Sequence, residues 1–573
     1  MKVSDYIASY LEAQGVEVVF DLIGGMIVHL IDSIHVQGAI RIVDVHHEQA
    51  ASFAAEAVGR ITGVPGIAMG TSGPGAINLL TGIGSCYFDS TPAVFITGQV
   101  NRNEQKGSKL IRQQGFQETD IVPMAAPITK AAWRVDDPEQ IPTMLKSAFE
   151  LALSGRPGPV LLDIPMDVQR ANIAVQPPQA LGSIINPAID PSGVRDLLAS
   201  LKAAQRPLIL AGGGIRSARA AEAFRKFARI VKIPVVNSLM GVDALPYADP
   251  LRVGMIGSYG NRWANHAIAD ADFLLVLGSR LDIRQTGSQT EAFKGDRVIY
   301  QVDVDTSEMN NRVQGCITIA AELQPFFEEA LRQTGDDTFP DHAELLGELE
   351  TLKRKWPDID ELKDIKGINP NALMHRIAKA SKLAAAYVVD VGQHQMWAAQ
   401  SLELTAEQRF LTSGGMGAMG FALPAAIGAA VAQPGQPVVL IAGDGGFQLN
   451  LQELQTVVRN QLPIKMVIVN NHTHGMVRQF QQSYFSERYQ STYIGYSAPD
   501  FADVARAFGI QAVTIENEAE ITDALVQLWQ DPQSPFLLEV IIDTFANVYP
   551  KLAFGHPITE MEPFVKPLDM EGT

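Results

Sequence analysis

Apolar residues along this chain fall in short β-rich runs that end in glycine or polar turns and alternate with helical stretches. Residues 41–45 read Arg-Ile-Val-Asp-Val, an alanine-rich helix is predicted over 50–60, and a second apolar run follows at 66–69. Short β-branched runs bounded by turn residues predict buried strands, and the longer periodic segments between them predict helices. That alternation is the pattern of a parallel sheet covered by helices. It breaks at 172–191, where Pro177, Pro178, Pro187 and Pro191 suit a linker. Strands resume at 207–211, 233–236, 273–277 and 297–302, a second doubly wound unit. Between 336 and 369 a charged Glu/Leu/Lys pattern with helical spacing predicts a solvated connector. The predicted architecture is α/β, with three doubly wound parallel-sheet domains at 1–171, 192–335 and 370–573, and no short-period repeat.

A chain of 573 residues is too long for one core, and 46% hydrophobic with 19% charged residues excludes a disordered protein. A net charge of -18 opposes binding to nucleic acid or to anionic membranes. The two cysteines, Cys86 and Cys316, lack metal-ligand spacing and suit a reducing compartment. The first eleven residues hold one lysine, Asp5 and no long apolar stretch, so no signal peptide or membrane helix is expected. A cytoplasmic location is the expectation.

The strongest chemical signal is an apolar strand at 437–442 that runs into Gly443-Asp444-Gly445-Gly446 and opens into a helix. A helix at 451–459 and a strand at 465–469 follow, ending in Asn470-Asn471. One βαβ unit of that length brings Asp444 and Asn471 to the same sheet edge, where doubly wound sheets bind ligands. A carboxylate, an amide oxygen and a nearby carbonyl make the hard oxygen set that Mg²⁺ prefers. The glycines let backbone N–H groups approach a diphosphate. Gly-Asp-Gly alone is also an ordinary turn, and the paired asparagines one βαβ unit later argue for the site. A second signal is His46-His47-Glu48-Gln49 at the start of the 50–60 helix. A first-turn glutamate is commonly an exposed partner of the helix dipole, but the apolar strand before it and the alanines after it predict burial.

Gly-Asp-Gly followed by Asn-Asn resembles the signature of thiamine-diphosphate enzymes. The resemblance implies Asp444 and Asn471 as metal ligands with the Thr473 carbonyl as third, and Gly443, Gly445 and Gly446 at the cofactor. It implies that a buried Glu48 hydrogen-bonds the aminopyrimidine ring, favouring an imino tautomer whose nitrogen removes the thiazolium C2 proton. Met419, inside Gly417-Ala418-Met419-Gly420, matches the apolar wedge that holds the cofactor bent, although methionine there is also ordinary core filling.

The resemblance extends over nearly the whole chain to acetolactate (acetohydroxyacid) synthase catalytic subunits. It is carried by Thr71-Ser72-Gly73-Pro74-Gly75-Ala76-Ile77-Asn78, Ile96-Thr97-Gly98-Gln99-Val100, Phe116-Gln117-Glu118-Thr119-Asp120, Gly155-Arg156-Pro157-Gly158-Pro159-Val160 and Gly475-Met476-Val477-Arg478-Gln479. It implies Gly25, Phe116 and Gln117 beside the reacting carbon, Pro74 and Asn78 at the cofactor, Met476 lining the pocket, and Gln393 and His394 facing the diphosphate. Gly212-Gly213-Gly214, Arg280, Arg284 and Asp303 are similar to the family's FAD-binding parts. The flavin so implied is structural, because carboligation transfers no net electrons. Family members join pyrimidine and metal sites from different subunits, which implies at least a homodimer, with a homotetramer also compatible.

Three departures bear on the substrate. Ile23-Gly24-Gly25-Met26 stands where the family has Pro-Gly-Gly-Ala, Met166 replaces a lysine, and Phe480 replaces a tryptophan. An insertion at 101–114 precedes the Phe-Gln-Glu motif. A lost cation weakens recognition of an acceptor carboxylate, although Arg284 is retained and suits bidentate pairing. Decarboxylation of a 2-oxo acid, pyruvate, and transfer of the acyl-anion equivalent to a second carbonyl compound is the leading expectation. A non-acid acceptor such as a ketone or keto-sugar, a simple 2-oxo-acid decarboxylase, and a non-catalytic relative remain as alternatives.

Overall fold

The computed structural model describes residues 1–182, 189–335 and 338–569. It contains three six-stranded sheets, every pairing in them parallel. The α/β fold expected from the strand–helix rhythm is therefore present. In the first sheet the spatial order is Arg41–Asp44, Val18–Leu22, Gly66–Gly70, Ala93–Gln99, Pro159–Pro165, Ala131–Arg134. The third sheet repeats that topology with Arg409–Leu411, Ala386–Val389, Val438–Gly443, Ile464–Asn470, Phe536–Ile541, Gln511–Ile515. The middle sheet differs, running Ile317–Ala320, Val298–Asp303, Phe273–Leu277, Pro207–Ala211, Val235–Asn237, Arg252–Met255. Counted within the unit, that is the 3-2-1-4-5-6 order of dinucleotide-binding folds, with its switch point between Pro207–Ala211 and Phe273–Leu277.

The first and third units share one core. Helix Glu48–Thr62 lies against helix Ala422–Ala432, and a single cluster of buried residues runs through both, from Phe53 and Ala54 to Phe421 and Ala425. The helices are rich in alanine because their backbones approach closely. A Cβ on Gly428 would collide with the Ala54 carbonyl, so only glycine fits that crossing.

Several predicted elements shift. The 50–60 helix begins at Glu48 and ends at Thr62, because His47 caps it by accepting the Gln49 N–H at 3.1 Å. The 451–459 helix is a 3-10 turn, Leu451–Glu453, leading into Leu454–Arg459. Strands Arg252–Met255 and Ile317–Ala320 have no counterpart in the apolar pattern; the second is an edge strand with three of its four residues exposed. The charged stretch read as a solvated connector contains helix Ala343–Lys355, whose Leu345 and Leu349 are buried in the cluster with Trp263 and Ile268. Its charged face points outward, and that face dominated the sequence pattern. Within the 172–191 segment, 183–188, including Pro187, lie outside the described residues. Pro191 opens helix Pro191–Ala203, capped by Asp190. No helix among the described residues is long and apolar enough to cross a membrane.

Candidate active site

Two groups of side chains collect at sheet switch points, where neighbouring strands send their helices to opposite faces and leave a crevice. The first lies beyond Val18–Leu22 and Gly66–Gly70. Glu48 is the first residue of its helix and is buried, 6% exposed, as its setting predicted. Its Oε2 accepts the Asn78 amide at 2.9 Å. Asn78 stands on helix Pro74–Phe88, which Pro74 opens after Gly73 (φ 68°). Glu48 Oε1 faces Gly75, where a Cβ would stand 3.0 Å away, so the glycine leaves one carboxylate oxygen room for a ligand. Gln117 adopts φ 64°, a left-handed conformation uncommon for a side-chain-bearing residue, and packs on Gly73. Phe116 beside it is 80% exposed. Gly25 is exposed, and Met26 is tied down by its N–H to Thr71 Oγ1 (3.2 Å) and its carbonyl to Gln169 Nε2 (2.8 Å). Met166 is half-buried and begins the helix after Pro159–Pro165, at the same end of the sheet.

The second group lies beyond Ala386–Val389, Val438–Gly443 and Ile464–Asn470. Asp444 and Asn471 are both buried there, as the βαβ spacing required. Burial pushes the Asp444 carboxyl up to about 6, against the hydrogen bond that Tyr496 OH donates to Oδ2 at 2.8 Å. Asn471 Nδ2 donates to Gln393 Oε1 at 3.0 Å, which fixes the amide orientation and leaves Oδ1 as a free acceptor. Thr473 is locked through Oγ1 to the Thr492 carbonyl at 2.7 Å. Gly445 meets the His474 ring and Gly446 the Asp390 carboxylate, so a Cβ at either position would be crowded. Asp390 itself accepts N–H bonds from Gly420 (3.0 Å) and Ala422 (2.9 Å), which shapes the loop carrying Met419 between Gly417 and Gly420, both at positive φ. Met419 is half-buried, and Met476 is partly buried against the third-unit core.

Gln393 opens helix Gln393–Ser401 with its side chain already bonded. Its amide is committed to protein on both sides, Nε2 to the Ala546 carbonyl (2.8 Å) and Gln479 Oε1 (3.3 Å), and Oε1 to Asn471. The backbone of helix Gln393–Ser401, whose N-terminus points into the crevice beside Gly443, is left to meet an anion. His394 keeps its role open. Burial pushes its pKa down to about 3, so the ring is neutral, and Nε2 has no protein partner.

A cavity of about 510 Å³ lies at the switch point of the middle sheet. Gly213, Gly214, Arg280, Arg284 and Asp303, five residues from three separate segments, all line it. Gly214 stacks on Gly278 so closely that a Cβ would strike its Cα. The first unit adds Arg60 and Arg156, and the third adds Arg409.

These surroundings fit the implied groups. The orphaned, buried His394 nitrogen and the glycine cradle at 443–446 suit a diphosphate. Asp444 Oδ1, Asn471 Oδ1 and the Thr473 carbonyl suit a hard divalent cation, and one carboxylate suffices when phosphate oxygens complete the shell. No group of three or more His, Cys, Asp or Glu side chains competes for a metal among the described residues.

Three models of thiamine pyrophosphate enzymes match the chain: the N-terminal TPP binding domain at 1–124, the central domain at 194–330, and the C-terminal TPP binding domain at 390–540. The acetolactate synthase isozyme 2 large subunit of Escherichia coli is 36% identical over 98% of this chain and 99% of its own length. The large subunit from Parasynechococcus marenigrum is 38% identical over 96% and 89%, and the chloroplastic acetolactate synthase 2 of Nicotiana tabacum 36% over 98% and 85%. The chain belongs to the acetolactate synthase family of thiamine pyrophosphate enzymes.

In this family member, three supporting residues had no signal in the sequence. Tyr496 lies in an irregular loop 52 residues beyond Asp444. Glu453, fully buried, accepts the His46 N–H at 2.9 Å, and Asn450 Nδ2 donates to Gln49 Oε1 at 3.2 Å; together they grip both sides of Glu48 from the third unit. For Tyr496→Phe we expect the metal concentration needed for half-maximal activity to rise about 10- to 100-fold, the usual cost of losing a hydrogen bond to a ligand. Magnesium titration of metal-stripped enzyme tests it; an unchanged midpoint would show that the hydroxyl does not orient the carboxylate.

Proposed function

We propose that this chain decarboxylates pyruvate and joins the acyl-anion equivalent to a second carbonyl compound, using thiamine diphosphate and Mg²⁺. The observation that carries the reading is the pairing of a buried glutamate having one free oxygen with a separate Asp444/Asn471/Thr473 oxygen set, in a chain that spans nearly the full length of synthase large subunits. When bound, the coenzyme supplies the electron sink for carboxylate loss. Glu48 holds or gives up a proton at Oε1 while Asn78 keeps Oε2 in place. Asp444, Asn471 and Thr473 hold the cation, and His394 with the Gln393–Ser401 helix N-terminus binds the diphosphate. Gln117 and Gly25 offer polar contacts to the reacting carbonyl beside Phe116. Met419 and Met476 supply an apolar wall at the cofactor that excludes water and favours loss of a charged carboxylate, and Met26, Met166 and Phe480 wall the acceptor.

Among the described residues no hydrogen bond or ion pair joins the Glu48 group directly to the Asp444 group. Ile77 and Tyr87 on helix Pro74–Phe88, and Met416 in the loop carrying Met419, leave large apolar side chains exposed. A homodimer that closes the first group of one copy onto the second group of another accounts for both features. The arginine-lined cavity takes FAD as a structural group. Free thiols at Cys86 and Cys316 suit the cytoplasm.

With Met166 and Phe480 in place, Arg284 alone of the assigned acceptor-wall residues carries positive charge, which supports an acceptor without a carboxylate, such as a ketone or keto-sugar, as a second reading beside pyruvate. Incubating purified protein with pyruvate, cofactors and a panel of acceptors, with products weighed by mass spectrometry, tests the reading. Acetolactate or another ligation product is expected. Acetaldehyde alone would replace carboligation with simple decarboxylation, and absence of CO₂ release would end the enzymatic reading. A colourless preparation that takes up no added FAD would remove the flavin.

A further inference from the structure

The chain's last stretch forms a two-stranded antiparallel hairpin, Lys551–Leu552 against Met561–Glu562, apart from the three main sheets. Lys551 and Glu562 are paired across it and both are 7% exposed. Lys551 Nζ donates to Glu562 Oε1 at 2.8 Å and to Ser483 Oγ at 3.3 Å, and Ser483 Oγ donates to Glu562 Oε2 at 3.2 Å. Ser483 is on helix Gly475–Tyr484, one turn past Phe480 and therefore on a neighbouring face. The ammonium also sits 5.1 Å from the Tyr484 ring centroid, and that ring packs on Phe480 with centroids 4.8 Å apart.

The other side of the hairpin reaches the middle unit. Leu552 N–H donates to the Ser258 carbonyl at 2.7 Å, and Ser258 N–H donates to the Arg284 carbonyl at 2.6 Å. Leu552 also packs against Gly287, just past the short helix Ile283–Thr286. Glu562 is anchored in turn, since its carbonyl accepts Arg262 Nη2 at 3.2 Å while Arg262 makes a bidentate pair with Glu361. A contiguous path thus joins the helix bearing Met476 and Phe480 to the backbone of Arg284, with the Lys551–Glu562 pair at its centre.

A buried ion pair is a weak source of net stability, because desolvation offsets most of the attraction and apolar replacements are often neutral. Its directional bonds set geometry. We propose that Lys551 and Glu562, acting through Ser483, are positioning residues for acceptor choice: they fix the gap between the Phe480 wall and Arg284 without touching the donor half of the reaction. This rests on the proposed carboligation and on Arg284 and Phe480 flanking the acceptor. Neither side chain of the pair touches Glu48, Asp444 or Asn471, so the larger effect is expected on the acceptor and the smaller on activation and decarboxylation of pyruvate.

The test is competition between two acceptors, pyruvate itself and acetaldehyde, on full-length holoenzyme of wild type, Ser483→Ala and the paired apolar variant Lys551→Met/Glu562→Leu. Because a misplacement of about 1 Å is enough to cost about 100-fold, a shift of roughly tenfold or more in the ratio of the two ligation products is expected, carried by acceptor KM. CO₂ release at saturating acceptor is expected to stay within about threefold of wild type. Unchanged product ratios in Ser483→Ala and in the folded paired variant would overturn the proposal. If the paired variant fails to fold, Ser483→Ala together with Tyr484→Leu decides, since these keep the ion pair and remove its hydrogen bonds and its ring contact to the helix. Equal loss of CO₂ release and ligation would also overturn it, marking the pair as general scaffolding. A wild-type protein that releases CO₂ but makes no ligation product would instead overturn the proposed carboligation.

Discussion

Glu48→Gln enzyme is expected to bind thiamine diphosphate and Mg²⁺ with affinity close to wild type yet to lose exchange of the coenzyme's C2 proton by about 100- to 10,000-fold, the span that a positioned proton-transfer group contributes. Glutamine has nearly the same volume and its carbonyl still accepts the Asn78 amide, so the helix start and its packing persist. What disappears is an oxygen facing Gly75 that is able to take and return a proton. Exchange followed by NMR on the loaded enzyme reads that step apart from catalysis. Exchange at the wild-type rate would mean that a different group activates the cofactor.

Removing the carboxylate at the third sheet produces the second large effect. Asp444→Ala leaves Asn471 Oδ1 and the Thr473 carbonyl as protein oxygens and no negative charge to balance a divalent ion. Thiamine diphosphate affinity in the presence of magnesium is expected to fall by more than the roughly 10- to 100-fold that loss of a supporting hydrogen bond costs. Calorimetric titration with and without the metal separates the two contributions, because the part of the affinity that needs magnesium is the part that should vanish. Retained metal dependence would place the cation elsewhere. Alanine is chosen over asparagine because a second amide could still coordinate, and over glycine because the position opens helix Asp444–Gln448.

The two signals that carried the functional reading were local. Asp444 and Asn471 each follow an apolar strand directly, and one βαβ unit sets their separation, so periodicity alone put them at one edge. Glu48 was legible for the same reason, since an apolar strand before it and alanines after it require a buried helix start. The FAD-type residues were legible only one segment at a time. That Gly213, Gly214, Arg280, Arg284 and Asp303 line one cavity follows from the order of the middle sheet, and that Arg60, Arg156 and Arg409 join them follows from how the three units pack. Gln393 shows the limit most clearly. Its place beside the diphosphate loop was visible, but the partners that consume its amide, Asn471 and the Ala546 carbonyl, lie 78 and 153 residues away. In the charged 336–369 stretch the helical spacing was legible and the burial of Leu345 and Leu349 was not, because an amphipathic helix with few buried positions exposes most of its surface.

By itself, then, the order of residues determined the α/β class, the strand ends that carry Glu48, Asp444 and Asn471, and the glycines that let backbone approach phosphate. Each of these depends on neighbours within about thirty residues, the reach of one strand–helix–strand unit. Only the tertiary structure decided which carboxylate oxygen is free, which amides are already spoken for, and how the closing hairpin ties Phe480 to Arg284. Those outcomes depend on hydrogen-bond partners distant in sequence, and a partner's identity is set by packing rather than by pattern.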